Sequence, residues 1–239
     1  TDIKRGAVLA VGNTITPSPC FDVFIKMLPT SRNSLKHMEE IRVLFGTSNQ
    51  VAKVRLFGGG GIAKAQFGFA QLRFQKPVIS FAGQRVILRR LSPAQTIAGA
   101  IILDPNATPV KSNDAIRLKV LKAAQTGDAN QIARALTLSK CRIAKISDVA
   151  RLAQRTARST RGTLNKSYIN LNPEQITTKI NADTCKKNIL ETLTSFHSKN
   201  PRRAWASRKV IQTPSVSPIL LQHVENELLA SGKIRIKDT

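Results

Sequence analysis

The stretch Phe21-Asp22-Val23-Phe24-Ile25-Lys26-Met27 sets apolar side chains at 21, 23, 25 and 27 and charges at 22 and 26. Successive side chains of a strand point to opposite faces. This period of two therefore predicts a strand with one buried and one solvated face. Outward from it, short apolar runs recur at 41–45, 51–57, 67–74, 78–81, 85–89 and 97–103. Turn-forming residues separate them at 29–34, 46–49, 58–61 and 82–83. Six or seven short strands at this spacing predict a small antiparallel β-barrel or sandwich.

The punctuation Asp104-Pro105-Asn106-Ala107-Thr108-Pro109 ends that pattern and marks a domain boundary. Helical periodicity follows. Ile116, Val120, Leu121 and Ala124 share a face of a helix over 115–126, capped by Asn113 or Asp114. A second helix is expected at 130–138. A third is expected after Ser147-Asp148, with Val149, Leu152 and Ala153 inward. Residues 156–165 are basic, rich in Ser and Thr and carry Gly162, and read as a basic hairpin before a short strand at 167–171. Helices followed by a basic hairpin form a winged-helix pattern. The order recurs further on. Asp183 caps a helix to about His197, with Ile189, Leu190, Leu193 and Phe196 inward and Pro201 stopping it. A short helix is expected at 207–212. Ser217 caps the next, with Ile219, Leu220, Val224, Leu228 and Leu229 inward and Gly232 ending it. The alternation at 233–237 reads as a wing strand.

Charge narrows the partner. The 239 residues hold 38 Lys and Arg against 14 Asp and Glu, a formal net charge of +24. Residues 1–104 carry 14 basic against 5 acidic side chains and residues 105–239 carry 24 against 9, so both parts attract polyanions. Nucleic acid is the default polyanion, because each neutralised phosphate releases condensed counterions. A membrane surface would call for a basic amphipathic helix or a lipid anchor, and the sequence has neither. No run of about 18 apolar residues occurs. Cys20, Cys141 and Cys185 form no CxxC pair, and their odd number speaks for a reducing, cytoplasmic compartment. The chain opens at Thr1 without an initiator methionine and without a secretory signal, and is read as cut from a longer protein.

No catalytic constellation is present. His37, His197 and His223 lack metal-ligand spacing. Gly58–Gly61 run into Ile62-Ala63-Lys64-Ala65, not into the G-K-[ST] that completes a phosphate-binding loop, so they read as a hairpin tip.

Several segments together resemble one family, the bacterial selenocysteine-specific elongation factors. Arg5-Gly6-Ala7-Val8-Leu9-Ala10 resembles the R-G-x-V-L-A segment that ends the second domain of elongation factor Tu-like GTPases. Residues 21–28 resemble the first strand of their third domain. Leu35-Lys36-His37, with Arg42 and Phe45-Gly46-Thr47, resembles the "L-K-H…L-G-T" stretch of the selenocysteine-specific branch. Phe74-Gln75-Lys76-Pro77-Val78 resembles a strand of that barrel. Residues 88–100, LRRLSPAQTIAGA, match the closing "L-R-x-x-S-x-x-x-T-I-x-G-A", followed by Leu103-Asp104-Pro105. The resemblance is good over 5–105, weak to about 180, and returns at residues 193–205. There LTSFHSKNPRRA is similar to a winged-helix segment, with Ala204-Trp205 where the family has glycine.

The resemblance implies a multidomain β plus α chain. Residues 1–16 would link from a preceding barrel domain. Residues 17–104 would form a small antiparallel β-barrel like the third domain of elongation factor Tu. Residues 105–180 would form a helical winged-helix-like module, and residues 181–239 a winged-helix module. It implies an RNA-binding part of a factor that carries selenocysteinyl-tRNA to the ribosome at a recoded UGA codon. The barrel would contact the tRNA, and the winged helices would be directed toward an mRNA hairpin. A monomer is expected, with no membrane partner and no cofactor in this part. GTP and magnesium would belong to the GTPase domain, outside it, so no enzyme activity is expected of this chain.

For tRNA contact the family suggests Lys36, His37, Arg42, Thr47 and Lys76. The charge pattern adds Lys53, Arg55, Arg89 and Arg90; any of these could be merely a solvated strand face, and Arg89, with Thr96, could equally brace the barrel. Arg151, Arg155, Arg158 and Arg161 have the spacing of one helix face. Arg202, Arg203, Arg208 and Lys209 lie where a winged helix would meet a nucleic-acid backbone. Trp205 reads as core or a domain contact, with stacking on an RNA base as the sharper alternative. Two rival readings are a winged-helix DNA-binding transcriptional regulator, which should prefer duplex DNA, and a ribosomal adaptor, which should not discriminate among tRNAs.

Overall fold

The computed structural model describes residues 6–9, 15–138, 142–212 and 216–235. Arg5 and Ala10 of the first resembling segment, Cys141, and Ile236 and Lys237 of the expected wing strand lie outside the described residues. The chain divides into two compact units. The first comprises Thr1–Asp128 with Arg151–Gln154, and the second Ala129–Ala150 with Arg155–Thr239.

The first unit is built on a closed antiparallel barrel. Its strands, with two short ones beside it, are β1 (Ser18–Met27), β2 (Leu35–Lys36), β3 (Glu40–Phe45), β4 (Ser48–Leu56), β5 (Gly61–Ile62), β6 (Phe67–Val78), β7 (Arg85–Arg90) and β8 (Thr96–Asp104). The closed order is β1-β6-β4-β3-β7-β8, with β2 and β5 paired separately. Closure removes every free sheet edge, which is how a small all-antiparallel sheet avoids pairing with other chains. Phe21, Val23, Ile25 and Met27 point inward and are buried with Ile41, Val43, Leu72, Leu88 and Ile102. Phe21, Phe45 and Phe74 pack edge to face, with ring centroids 4.9–6.3 Å apart. Each such side chain contributes roughly 1.5–3 kcal/mol by leaving water. The run expected at 67–74 extends to Val78 as one long strand, β6, which pairs with both β1 and β4, and residues 79–81 of the run expected at 78–81 form no strand.

One outward position departs from the alternation. Asp22 faces away from the barrel core yet is fully buried, not solvated. The segment after β8 returns over it, and helix α1 (Ala115–Thr126) sends Arg117 down onto it. The first helix therefore groups with the barrel. Cys20 Sγ donates to the Ala107 carbonyl at 2.9 Å, and Gln71 Nε2 donates to Asp22 Oδ1 at 2.8 Å and to the Thr108 carbonyl at 3.0 Å. Asp114 caps α1 by accepting from the Arg117 N–H at 2.8 Å, and Gly127 ends the helix in the left-handed region that glycine adopts without strain.

The second unit runs α2 (Ala129–Thr137), β9 (Ala144–Lys145), all but the last two residues of α3 (Ile146–Leu152), α4 (Ala157–Thr163), β10 (Tyr168–Asn170), β11 (Gln175–Thr178), α5 (Lys179–Lys199), a 3₁₀ turn at Arg208–Val210 and α6 (Pro218–Ala230). Strands β10, β11 and β9 form one sheet in that order. Helix, strand, two helices and a hairpin are the winged-helix arrangement. Its third helix is residues 157–163, where a basic hairpin was expected. The hairpin is β10–β11, one element later. Thr156 made the difference: its hydroxyl accepts from the Ser159 N–H at 3.1 Å and starts a helix.

Helix α5 begins four residues before the expected cap. Thr178, not Asp183, caps it by accepting from the Asn181 N–H at 3.1 Å. Its core face adds Ala182 and Cys185 to Ile189, packed against Leu220, Leu221, Val224 and Leu228 of α6. Ile219, expected inward, is exposed, and Leu221 takes the inward place. Residues 233–235 form no strand.

Candidate nucleic-acid interface

Inward packing of β3, β4 and β7 forces the alternate residues outward, and on these strands several of them are basic. Arg42 on β3 lies directly opposite Arg89 on β7. Lys53 on β4 lies directly opposite Arg73 on β6 and, on its other side, Glu40 on β3. Arg55 follows on β4, opposite Gln71. Two like-charged pairs facing each other across neighbouring strands are destabilising, by roughly 0.2–1 kcal/mol each. A folded barrel gains nothing from them; an anion laid across the strands would relieve both.

The side chains in this row differ in how they are held. Lys53 is exposed and lies 3.8 Å from Glu40, a contact that solvent screens. Arg73 is tied down: Nε donates to Gln71 Oε1 at 2.9 Å and Nη2 to the Val110 carbonyl at 2.7 Å. Burial, then the charge of Arg55, lowers its pKa from the usual guanidinium range. Arg55 Nε is buried with no hydrogen-bond partner among the described residues.

The segment Lys36–Glu39 runs beside the end of β4, joined by Met38 N–H to Val54 O at 2.7 Å and Val54 N–H to Glu39 O at 2.9 Å. This places Lys36, whose side chain is exposed, and His37 at the same end of β4 as Arg55. His37 Nδ1 accepts from the Leu56 N–H at 3.1 Å, which leaves only its other ring nitrogen to face outward. Thr47 Oγ1 accepts from the Gly6 N–H at 3.0 Å in the β3–β4 turn. Lys76 is exposed near the far end of β6. Arg90 is a brace. Its Nε donates to Glu39 Oε1 at 2.9 Å, and its Nη2 donates to the carbonyls of Ser34 at 2.8 Å and Asn33 at 3.3 Å.

In the second unit Arg202 and Arg203 follow the end of α5 and Lys209 lies in the 3₁₀ turn, all three exposed. Arg208 is bonded through Nε and Nη2 to the buried Glu225, so its charge is already matched. Trp205, expected as core or a domain contact, is half-exposed. The spacing of Arg151, Arg155, Arg158 and Arg161 does not make one helix face. Arg151 lies in the last turn of α3, Arg158 and Arg161 lie on α4, and Arg155 lies between the two helices. Arg151 bonds Asp104 within the first unit, and Arg161 bonds the Pro173 carbonyl in the second.

Sequence reasoning passed over Arg73 and Arg117. Arg73 was findable as the polar alternate of a strand that also carries Gln71. Arg117 had no signal, because its partners Asp22 and Asp104 lie 95 and 13 residues away. No helix is long and apolar enough to cross a membrane, and no group of three or more metal-ligating side chains occurs, both among the described residues.

Residues 23–109, which hold most of the closed barrel, match the family model for the selenocysteine-specific elongation factor, beta-barrel domain. The chain is similar to the selenocysteine-specific elongation factor of Desulfomicrobium baculatum, with 28% identity over 249 residues. That similarity covers 99% of this chain and 39% of the relative. The chain therefore spans about two-fifths of that relative's length. Among solved structures it shares its fold with a bacterial selenocysteine-specific elongation factor, EF-Sec, at a TM-score of 0.61 and 17% identity, covering 94% of this chain and 34% of that one. The resemblance carried by residues 88–100 and the segments around them is borne out, as is the antiparallel barrel followed by a helical region.

Proposed function

We propose that this chain is the RNA-binding C-terminal part of a selenocysteine-specific translation elongation factor, acting in the cytoplasm with tRNA, mRNA and the ribosome. The observation that carries the reading is the outward basic row on the barrel, where Arg42 opposes Arg89 and Lys53 opposes Arg73. In this reading the acceptor side of a selenocysteinyl-tRNA lies across β7, β3 and β4. Arg42, Arg89, Lys53 and Arg55 take its phosphates, with Lys36, His37, Thr47 and Lys76 around them. Contacts of this kind set position and carry little sequence information. The winged-helix region is directed toward the mRNA hairpin. The chain takes no catalytic part, and GTP hydrolysis is assigned to the factor's GTPase domain.

The test is fluorescence anisotropy of labelled selenocysteine tRNA across a salt series, beside bulk elongator tRNA and duplex DNA. Generic charge alone gives dissociation constants of roughly 10⁻⁴–10⁻⁶ M and a steep salt slope for all three. Tighter binding of the selenocysteine tRNA at physiological salt supports the reading. Preferential binding of duplex DNA would replace it with a DNA-binding regulator.

A further inference from the structure

A groove of about 740 Å³ opens on the second unit. Leu193, Trp205, Ile211 and Ile234 line it with apolar surface, and Gln222 and Asn226 line it with amides. Its volume lies within the roughly 300–1,000 Å³ of ligand clefts. Trp205, the one tryptophan of the chain, is 49% exposed, so its indole is available to the groove and not consumed by a core. Gln222 and Asn226 sit one turn apart on α6 and share a face. Each amide offers both donors and an acceptor. The one acid in the groove, Glu225, is buried and neutralised by Arg208. Arg235 also lines it and is exposed, and the exposed Arg202, Arg203 and Lys209 lie within three residues of its lining residues Trp205 and Arg208 along the chain.

An open aromatic face, hydrogen-bonding amides and neighbouring cations together select one chemistry: a flat, polar-edged ring attached to phosphates. In a duplex both faces of every base are stacked, so only an unpaired base can enter. We propose that this groove takes one unpaired base of a single-stranded RNA. The base stacks on Trp205, its edge meets Gln222 and Asn226, and the flanking phosphates meet Arg202, Arg203 and Lys209. The proposal rests on the RNA-binding reading above and gives it a second site, distinct from the barrel row. Stacking tolerates any base, so preference among bases comes from the two amides.

The experiment uses the full chain and an unstructured RNA of about 12 nucleotides, with an RNA duplex of the same length as control. Anisotropy of labelled RNA reports binding. Trp205 emission, read with unlabelled RNA, reports stacking without ambiguity, since there is no other indole. The single strand is expected to quench that emission over the same concentrations that raise anisotropy, and the duplex to leave it unchanged. Trp205→Ala is expected to weaken the single strand by about 5- to 150-fold, with little effect on the duplex. Trp205→Phe, which keeps a smaller aromatic face, should fall between. Should Trp205→Ala lose its helical circular dichroism, the quench and Trp205→Phe decide. Binding with unchanged emission, and unchanged affinity in both variants, would overturn the groove proposal and leave the barrel reading standing. No binding of any RNA would overturn both.

Discussion

Arg117 of α1 donates its Nε–H to Asp22 Oδ2 on β1 at 2.6 Å, and this bond holds the first helix to the barrel. Its Nη2 donates to Asp104 Oδ2 at 2.5 Å. Asp22 and Asp104 are register partners across β1 and β8, so the guanidinium separates two carboxylates that would otherwise repel inside protein. Burial pushes the pKa of Asp22 up, against the charge of Arg117 and the Gln71 amide. Burial works to lower that of Arg117, and the two carboxylates outweigh it. Removing one partner of a buried pair strands the other. Arg117→Met should cost the first unit about 3–5 kcal/mol. Replacing Asp22 and Asp104 by Asn as well should recover much of that loss. Urea unfolding followed by circular dichroism checks this; a single-variant loss under about 0.5 kcal/mol would refute the latch.

Cys20 gives the same latch a chemical reporter. Its thiol is buried and donates to Ala107 in the segment that Arg117 holds down. Burial, then the charge of Asp22, raises its pKa to about 11 from 9.0. The native thiol thus keeps its proton where the unfolded one has lost it. Its contribution to stability is full below about pH 9 and declines as pH rises toward 11. Cys20→Ala should flatten that alkaline decline. Iodoacetamide at pH 8 should leave the Cys20 peptide unmodified in the native chain and label it in Arg117→Met, as read by mass spectrometry. Equal labelling in both would mean that the segment opens without breaking the latch.

The two kinds of arginine on the barrel should separate in RNA binding. Arg42 faces Arg89 and is exposed, whereas Arg90 is fixed by Glu39 and two carbonyls. Arg42→Gln should lower the salt slope of tRNA binding by about 0.7–0.9 and relieve a like-charge pair, leaving stability equal or slightly higher. Arg90→Gln should leave the slope unchanged and lower stability by about 1–3 kcal/mol. Anisotropy across a salt series, paired with thermal melts, distinguishes them. An Arg90→Gln slope that falls as far as that of Arg42→Gln would move Arg90 into the interface.

The barrel was legible because its inward residues alternate: Phe21, Val23, Ile25 and Met27 have no competing reading. What escaped was set by distant partners. Asp22 reads as solvated until a helix 95 residues later supplies Arg117. The four arginines at 151–161 have helical spacing, and the break between α3 and α4 is not visible in that spacing. Trp205 is large and apolar, which says core, yet the loop that carries it leaves it beside a groove. Competing capping residues misplaced the start of α5, because Thr178 and Asp183 are both good caps by type.

That last ambiguity can be measured. Thr178 accepts the Asn181 N–H at the first turn of α5, whereas Asp183 lies inside the helix and only pairs loosely with Lys186 at 3.5 Å. A true cap satisfies an N–H that the helix cannot, so Thr178→Ala should cost the second unit about 1 kcal/mol. Asp183→Ala removes an exposed acid three residues from a lysine and replaces it with the best helix former, so its effect should stay within about 0.5 kcal/mol. Thermal unfolding followed at 222 nm compares the two in one experiment. A larger loss in Asp183→Ala would mean that Asp183, not Thr178, caps α5 in solution.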